Sequence, residues 1–239
     1  MKSLAGKVSI VTGAGRGIGR AISVLLGRSG SRVALAARSE SQLRAVGEEI
    51  RDQGGEALVV PTDLSLDEEI ERLVTATLEK WGSIDHLINN AGWGKTGPIL
   101  KAKREDWDAT FRVNLRAPMV LSQLVLPKLM EKGEGAIINI SSVSGKSGQE
   151  NTAAYSASKF GLIGFTESLY EEVREYGIKV TVILPGFVDT PMIPPIKRLD
   201  RTRMIRPEDI ARAVLFVLTS PITSCPVEIT VRPQKSPYV

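Results

Sequence analysis

Short runs of β-branched and aliphatic residues alternate along the chain with longer stretches in which apolar side chains recur at helical spacing. Val8 to Thr12, Arg32 to Ala36, Glu56 to Pro61, His86 to Asn89, Ala136 to Ser141, Lys179 to Leu184 and Val227 to Val231 read as strands. Arg20 to Arg28, Glu40 to Gln53, Leu66 to Trp81, Arg104 to Glu131, Thr152 to Tyr176 and Arg206 to Leu218 read as helices. Val8 to Thr12 is the kind of run that suits a buried parallel strand. The regular alternation predicts an α/β fold, a doubly wound parallel sheet of about seven strands with helices on both faces. Right-handed crossovers then place a ligand outside the carboxyl ends of the strands, where the strand order reverses.

Composition narrows this picture. The 239 residues, 42% of them hydrophobic, are enough for one well-buried domain and too few for two comfortable ones, so residues 1–239 are expected to form a single unit. No repeat, low-complexity stretch or Gly/Ser linker divides the chain. Lys and Arg exceed Asp and Glu by 31 to 27, a formal +4 spread without a long basic run, so a nucleic-acid partner is not expected. The lone cysteine, Cys225, excludes an intramolecular disulfide and a cysteine-based metal cluster. No apolar run reaches the ~18 residues of a membrane span, and the N-terminus leads almost directly into the first strand. A cytoplasmic protein with no membrane partner is the expectation.

Candidate chemistry collects at the strand ends. After the first strand come Gly13, Gly15, Gly17 and Gly19, opening the helical run Ile18 to Leu26. Glycines allow a tight turn and close backbone approach, while unpaired N–H groups and the positive helix end face negative charge, so strand, glycine turn and helix form a phosphate cradle. The glycine spacing differs from the commonest dinucleotide fingerprint, and a glycine-rich turn without ligand is the simpler alternative. After the second strand, Ala36-Ala37-Arg38-Ser39 offers no acid to a ribose 2′-hydroxyl. Arg38, with Arg16 in the glycine turn, could instead grip a 2′-phosphate, unless both are merely solvated. Asp63, after the third strand, could accept from an adenine amino group or cap the next helix. Asn89-Asn90-Ala91-Gly92, after the fourth, is small and suited to backbone contact with a cofactor.

A second constellation lies between Ser141 and Lys159. Tyr155 and Lys159 are four apart in a helical stretch and share a face, and such a pair taken alone is usually surface decoration. A free tyrosine titrates near ~10, and the neighbouring ammonium is expected to lower that value. Ser142 can donate to an oxygen on which charge develops.

Taken together these residues resemble the short-chain dehydrogenase/reductase family, whose features appear in order as Thr12-Gly13 through Gly17 and Gly19, Asn89-Asn90-Ala91-Gly92, Asn114, Ser142, the Tyr155 to Lys159 segment, and Pro185-Gly186 with Thr190. The resemblance covers nearly the whole chain; the N-terminal two-thirds is similar to 3-oxoacyl-carrier-protein reductases. It implies a Rossmann-type fold and hydride transfer between a nicotinamide, NADP(H), and a small-molecule carbonyl or secondary alcohol, with a 3-oxoacyl thioester on acyl-carrier protein or CoA as one candidate. Tyr155 would be the general acid in reduction, Ser142 would hold the carbonyl oxygen, Lys159 would bind the nicotinamide ribose and tune the tyrosine, and Asn114 would join a water-mediated proton relay. The implied cofactor site gathers Gly13, Gly15, Arg16, Gly17, Ile18, Gly19, Arg38, Asp63, Leu64, Asn90, Ala91, Gly92, Tyr155, Lys159, Pro185, Gly186, Val188 and Thr190, with no metal. A homodimer through the long helices Arg104 to Glu131 and Thr152 to Tyr176 is likewise implied. The ending departs from the usual family pattern: Val227 to Val231 runs into Arg232-Pro233 and a polar tail, which puts a homotetramer in question.

Asn114 has a local argument too. In a continuous helix its carbonyl would accept from residue 118, but Pro118 has no N–H, leaving that carbonyl free for a water or simply solvated at a kink. His86, the only histidine, has no second ligand in pattern and reads as structural. Cys225 reads as packing or surface. Trp81 and Trp107 read as packing, while Trp93 could wall a substrate cleft. Pro191 to Arg206 is expected to lie over the cleft as a short lid, its freedom limited by Pro191, Pro194 and Pro195. There Lys197, Arg198, Arg201 and Arg203 outnumber Asp200 and would attract an anionic group. A non-catalytic cofactor-binding regulator of the same fold is the competing class, and Ser142, Tyr155 and Lys159 favour the enzyme.

Overall fold

The computed structural model describes residues 3–193 and 199–238. Its elements follow the expected alternation: β1 (Val8–Thr12), α1 (Gly17–Arg28), β2 (Arg32–Ala37), α2 (Glu40–Asp52), β3 (Glu56–Pro61), α3 (Asp67–Trp81) and β4 (His86–Asn89). Then come α4 (Arg104–Phe111), α5 (Ala117–Lys132), β5 (Gly135–Ile140), α6 (Ala153–Val173), β6 (Ile178–Pro185), α7 (Pro207–Thr219) and β7 (Glu228–Val231). The seven strands form one sheet in the order β3-β2-β1-β4-β5-β6-β7, every pair parallel. After β3 the chain returns to the far side of β1, so the order reverses between β1 and β4. The crevice above their carboxyl ends is where ligands of such sheets bind.

Neighbouring residues of a strand point to opposite faces, and the core is divided accordingly. Val11, Leu35 and Ile138 pack with Ile22, Leu26, Leu43, Ile50 and Val214 under α1, α2 and α7. Ile10, Leu87 and Ile137 pack with Leu73, Leu121, Leu129 and Leu169 under α3, α5 and α6. Central and covered on both faces, β1 is buried throughout: Val8, Ile10 and Val11 are apolar there, and the hydroxyls of Ser9 and Thr12 are hydrogen-bonded.

The expected helix Arg104 to Glu131 is not continuous. A π turn, Arg112–Arg116, separates α4 from α5, and the Ala117 N–H donates to the Arg112 carbonyl five residues back. Pro118 removes the N–H that Asn114 needs in α register, so one wide turn replaces it. Helix α1 starts at Gly17 instead of Arg20, because the glycine turn itself forms the first helical turn. At its other end α6 finishes at Val173, followed by a short 3₁₀ turn and Gly177 at φ +72°.

Candidate active site

The site is assembled from the ends of β1, β4, β5 and β6. Thr12 closes β1, and its Oγ1 accepts from the backbone N–H groups of Asn90 and Ala91, each at 3.0 Å. Asn90 Nδ2 donates in return to the Thr12 carbonyl at 2.8 Å. The two turns flanking the switch point are thereby locked together. Gly13 sits at φ +65°, and a Cβ there would lie 2.9 Å from both Ala91 Cα and Asn90 Nδ2. A Cβ on Gly19 would overlap the Gly13 carbonyl oxygen. Gly17, at φ +56°, faces the Thr190 methyl at 3.2 Å from its would-be Cβ. These glycines are required by backbone conformation and close approach. Gln42, which no sequence pattern singles out, packs on Gly15.

This cradle fits an anion. Arg16, at the N-cap of α1, supplies no side-chain cap, and no acid occupies the first helical turn, so the leading N–H groups remain available. Ile18 and Ala91 are half-buried beside it. Arg38, after β2, is exposed like Arg16, and neither forms an ion pair among the described residues. Asp63 does not cap α3, whose N-cap is Leu66. Its Oδ1 accepts from Ser65 N at 2.9 Å and Ser65 Oγ at 2.8 Å. Those bonds, against some burial and with help from the Arg38 guanidinium, hold its carboxyl below the usual range. Leu64 beside it is buried.

Ser142 follows β5 in extended backbone, and its Oγ accepts from Ser144 N at 3.1 Å. Tyr155 and Lys159 rise from the first turns of α6. Lys159 is 3% exposed and donates from Nζ to the Ile140 carbonyl at 2.8 Å, with the Tyr155 ring centroid 5.9 Å away. Burial pushes its ammonium down to about 8. Tyr155 behaves differently from expectation. Where the neighbouring ammonium is expected to lower the phenol, burial raises it above its ordinary value, and the hydrogen bond to Ser142 only partly opposes this. Lys159 Nζ is turned to the Ile140 carbonyl and does not offset this rise.

Asn114 is fully buried under this group. Its Oδ1 accepts from Trp93 N at 2.8 Å, and its Nδ2 donates to the Trp93 carbonyl at 2.7 Å and to Ser158 Oγ at 3.0 Å. Asn114 thus clamps the chain just past Gly92, whose would-be Cβ lies 3.7 Å from Lys159 Nζ and 3.8 Å from Asn114 Oδ1. Ser158, which also donates to the Tyr155 carbonyl at 2.7 Å, was missed by sequence reasoning although it stands three residues beyond Tyr155 on the same helix. Gly94 was missed as well, and a Cβ there would press 2.7 Å from Tyr155 Cδ2.

Beyond Pro185 and Gly186 at the end of β6, Val188 is buried and bridges to Ile205. The basic count for residues 191–206 needs correction. Arg201 pairs with Asp189 at 2.5 Å, a residue just outside the counted segment, and also donates to the Thr190 carbonyl at 3.1 Å. Arg203 pairs with Asp200 at 3.1 Å, and Arg206 with Asp189 at 2.6 Å. Pro194, Pro195, Lys197 and Arg198 lie outside the described residues.

The remaining singled-out residues sit elsewhere. His86 is buried at the opposite end of β4, with its Nδ1 3.0 Å from Ser9 Oγ, and burial pushes it down to about 4. Cys225 Sγ donates to the Val180 carbonyl at 3.6 Å. Trp81 packs into the core. No helix among the described residues is long and apolar enough to cross a membrane.

A doubly wound sheet with a glycine cradle at its switch point and a buried lysine beside a tyrosine defines a nucleotide-binding oxidoreductase architecture. Comparison with known proteins agrees. The family model for short chain dehydrogenases matches residues 7–200, and the chain belongs to that family. An uncharacterised oxidoreductase of Staphylococcus aureus (strain USA300) is 38% identical over 233 residues, 98% of this chain and 100% of the relative. A 3-oxoacyl-[acyl-carrier-protein] reductase of Synechocystis is 36% identical over 228 residues, 92% of each chain. Among solved structures, a metagenomic short-chain oxidoreductase in complex with NADP superposes with a TM-score of 0.87 at 40% identity, covering 98% of this chain and 100% of that one. The 3-ketoacyl-(acyl-carrier-protein) reductase from Brucella melitensis complexed with NADH gives 0.89 at 29% identity, covering 97% and 98%.

Proposed function

We propose that this oxidoreductase is an NADP(H)-dependent carbonyl reductase, acting on a ketone or 3-oxoacyl thioester through Ser142, Tyr155, Lys159 and Asn114. The observation that carries the reading is the convergence of these four side chains at the ends of β4 and β5, beside the glycine cradle. When bound, the nicotinamide cofactor supplies the hydride. Gly13, Gly15, Gly17, Gly19 and the uncapped start of α1 would hold its pyrophosphate. Exposed Arg16 and Arg38, with alanine and no acid at position 37, would take a 2′-phosphate. Val188 and Thr190 would line the nicotinamide end.

Burial favours the neutral phenol, so Tyr155 carries its proton at neutral pH, the state a general acid needs for ketone reduction. Ser142 donates to the carbonyl oxygen and keeps it within reach of that proton. Lys159 has three N–H donors, one spent on the Ile140 carbonyl, leaving others for ribose hydroxyls. Asn114 fixes the Trp93 backbone and thereby the floor under the reacting groups, and its carbonyl lies at the π turn where a relay water could bind. Exposed Phe111, Met119 and Phe160 on α4, α5 and α6 support a homodimer through those helices. With Arg201 and Arg203 paired, the described part of segment 191–206 gives little support to electrostatic capture of an acidic carrier.

The test is NADPH consumption across ketones, 2-oxoacids and 3-oxoacyl thioesters, with NADH alongside and Tyr155→Phe and Arg38→Ala as controls. The reading expects turnover with at least one carbonyl class and a fall of about 10²- to 10⁴-fold in Tyr155→Phe without loss of cofactor binding. It also expects an NADPH preference that shrinks in Arg38→Ala. Tight dinucleotide binding with no turnover on any class would favour the non-catalytic regulator instead.

A further inference from the structure

The polar tail after β7 is the part of the chain that the catalytic reading leaves unused. It does not run off the sheet edge. The Gly186 N–H donates to the Val231 carbonyl at 2.8 Å, and a Cβ on Gly186 would lie 3.1 Å from Pro233 Cδ, so the tail crosses directly over the end of β6. It then turns back toward the segment that follows Thr190. The Asp200 N–H donates to the Pro237 carbonyl at 2.8 Å, Leu199 and Tyr238 form an antiparallel bridge, and Pro237 is buried. The Tyr238 ring stands edge-on to Phe187, centroids 5.4 Å apart at 87°, although Tyr238 is 56% exposed.

Phe187 opens the segment that carries Val188 and Thr190. On its flank the Ile205 N–H donates to the Phe187 carbonyl and the Asp189 N–H to the Ile205 carbonyl, both at 2.9 Å. At its far end the Thr190 methyl rests on Gly17 in the phosphate cradle. One short piece of chain therefore touches the tail at Phe187 and the cradle at Thr190.

We infer that the C-terminal tail, through the Tyr238 ring on Phe187, is a positioning element that fixes residues 187–190 against the glycine cradle and so sets affinity for the dinucleotide. Tyr238 touches no reacting group; it acts through Phe187. The part concerning affinity rests on the function proposed above, whereas the part concerning the tail and the segment does not.

Amide hydrogen exchange on the ligand-free protein separates the two. Tyr238→Ala is expected to speed exchange at Asp189 and Ile205 while leaving β1 and β4 as in the parent, and Tyr238→Phe, which keeps the ring, is expected to match the parent. Titration with NADPH should then show Kd about two- to tenfold weaker in Tyr238→Ala, the factor carried by an edge-on aromatic pair, and unchanged in Tyr238→Phe. Parent-like exchange in Tyr238→Ala overturns the inference, as does a Tyr238→Phe variant as loose as Tyr238→Ala. Faster exchange with unchanged NADPH affinity overturns the positioning role. Failure of the parent itself to bind NADPH overturns the proposed function and, with it, the affinity half of this inference, while the exchange data still decide whether the tail holds the segment.

Discussion

Lys159 should cost the protein stability in return for its place in the site, and Lys159→Met measures that cost. The side chain is 3% exposed and its ammonium is held down at about 8 from an ordinary 10.5. At 1.36 kcal/mol per tenfold change in proton affinity, this displacement corresponds to about 3 kcal/mol of charge burial at neutral pH. Methionine fills similar volume without charge but leaves the Ile140 carbonyl without its donor, a loss of about 1 to 3 kcal/mol. The expected net at pH 7 is a stabilisation between about zero and 2 kcal/mol. Below about 8 both folded and unfolded chains hold the proton and the penalty is constant. Between about 8 and 10.5 the unfolded chain binds a proton that the folded chain does not, so the parent gains stability as pH rises. Urea unfolding of parent and variant at steps from pH 7 to 10.5 should therefore show the parent gaining on Lys159→Met by about 3 kcal/mol across that window. A constant difference across it, or a variant destabilised by several kcal/mol at pH 7, would falsify the assignment of a buried charged lysine.

Three further outcomes follow from the same geometry. Gly19→Ala should destabilise by more than about 3 kcal/mol in thermal or urea unfolding, since its Cβ overlaps the Gly13 carbonyl and lies 2.5 Å from Asn90 Nδ2; a loss near the ~1 kcal/mol typical of point mutations in general would mean that the two turns are not locked. Asn114→Ala should lose about 2 to 4 kcal/mol by stranding the Trp93 N–H and carbonyl, and an unchanged thermal midpoint would refute the clamp. Asp85 is buried, which raises its carboxyl, but Lys132 and the Val8 N–H outweigh burial and lower it overall, so its contribution is present above about pH 4 and is lost as pH falls through its folded value. Asp85→Asn should accordingly cost about 3 kcal/mol at pH 7 and progressively less as pH falls below about 4, and a pH-independent difference would contradict the ion-pair account.

The strands were legible because β1, β2, β4 and β5 are covered on both faces, so burial leaves short, mostly aliphatic runs, broken only by a few hydrogen-bonded polar residues such as Ser9 and Asn139, that show in one dimension. The glycine turn was legible for a related reason: positive φ at Gly13 and Gly17 and the overlap at Gly19 each demand the absence of a side chain, and that demand is met by residue identity alone. Ser142, Tyr155 and Lys159 could be picked out by type and spacing. What those residues experience could not. Whether a lysine lowers a tyrosine depends on where the ammonium points, and the Ile140 carbonyl that draws Lys159 Nζ lies 19 residues away in sequence. The same holds for Arg201, which the sequence sets only against Asp200 but which the fold pairs with Asp189, and for Asn114, whose side chain clamps Trp93 across 21 residues. The turn of β6 beneath the C-terminal tail is a contact between segments with no shared pattern. Local chemistry and periodicity are written along the chain, but the partner of a buried charge or hydrogen-bonding group is chosen by which strand ends and loops the topology brings together, and only the tertiary structure decides that.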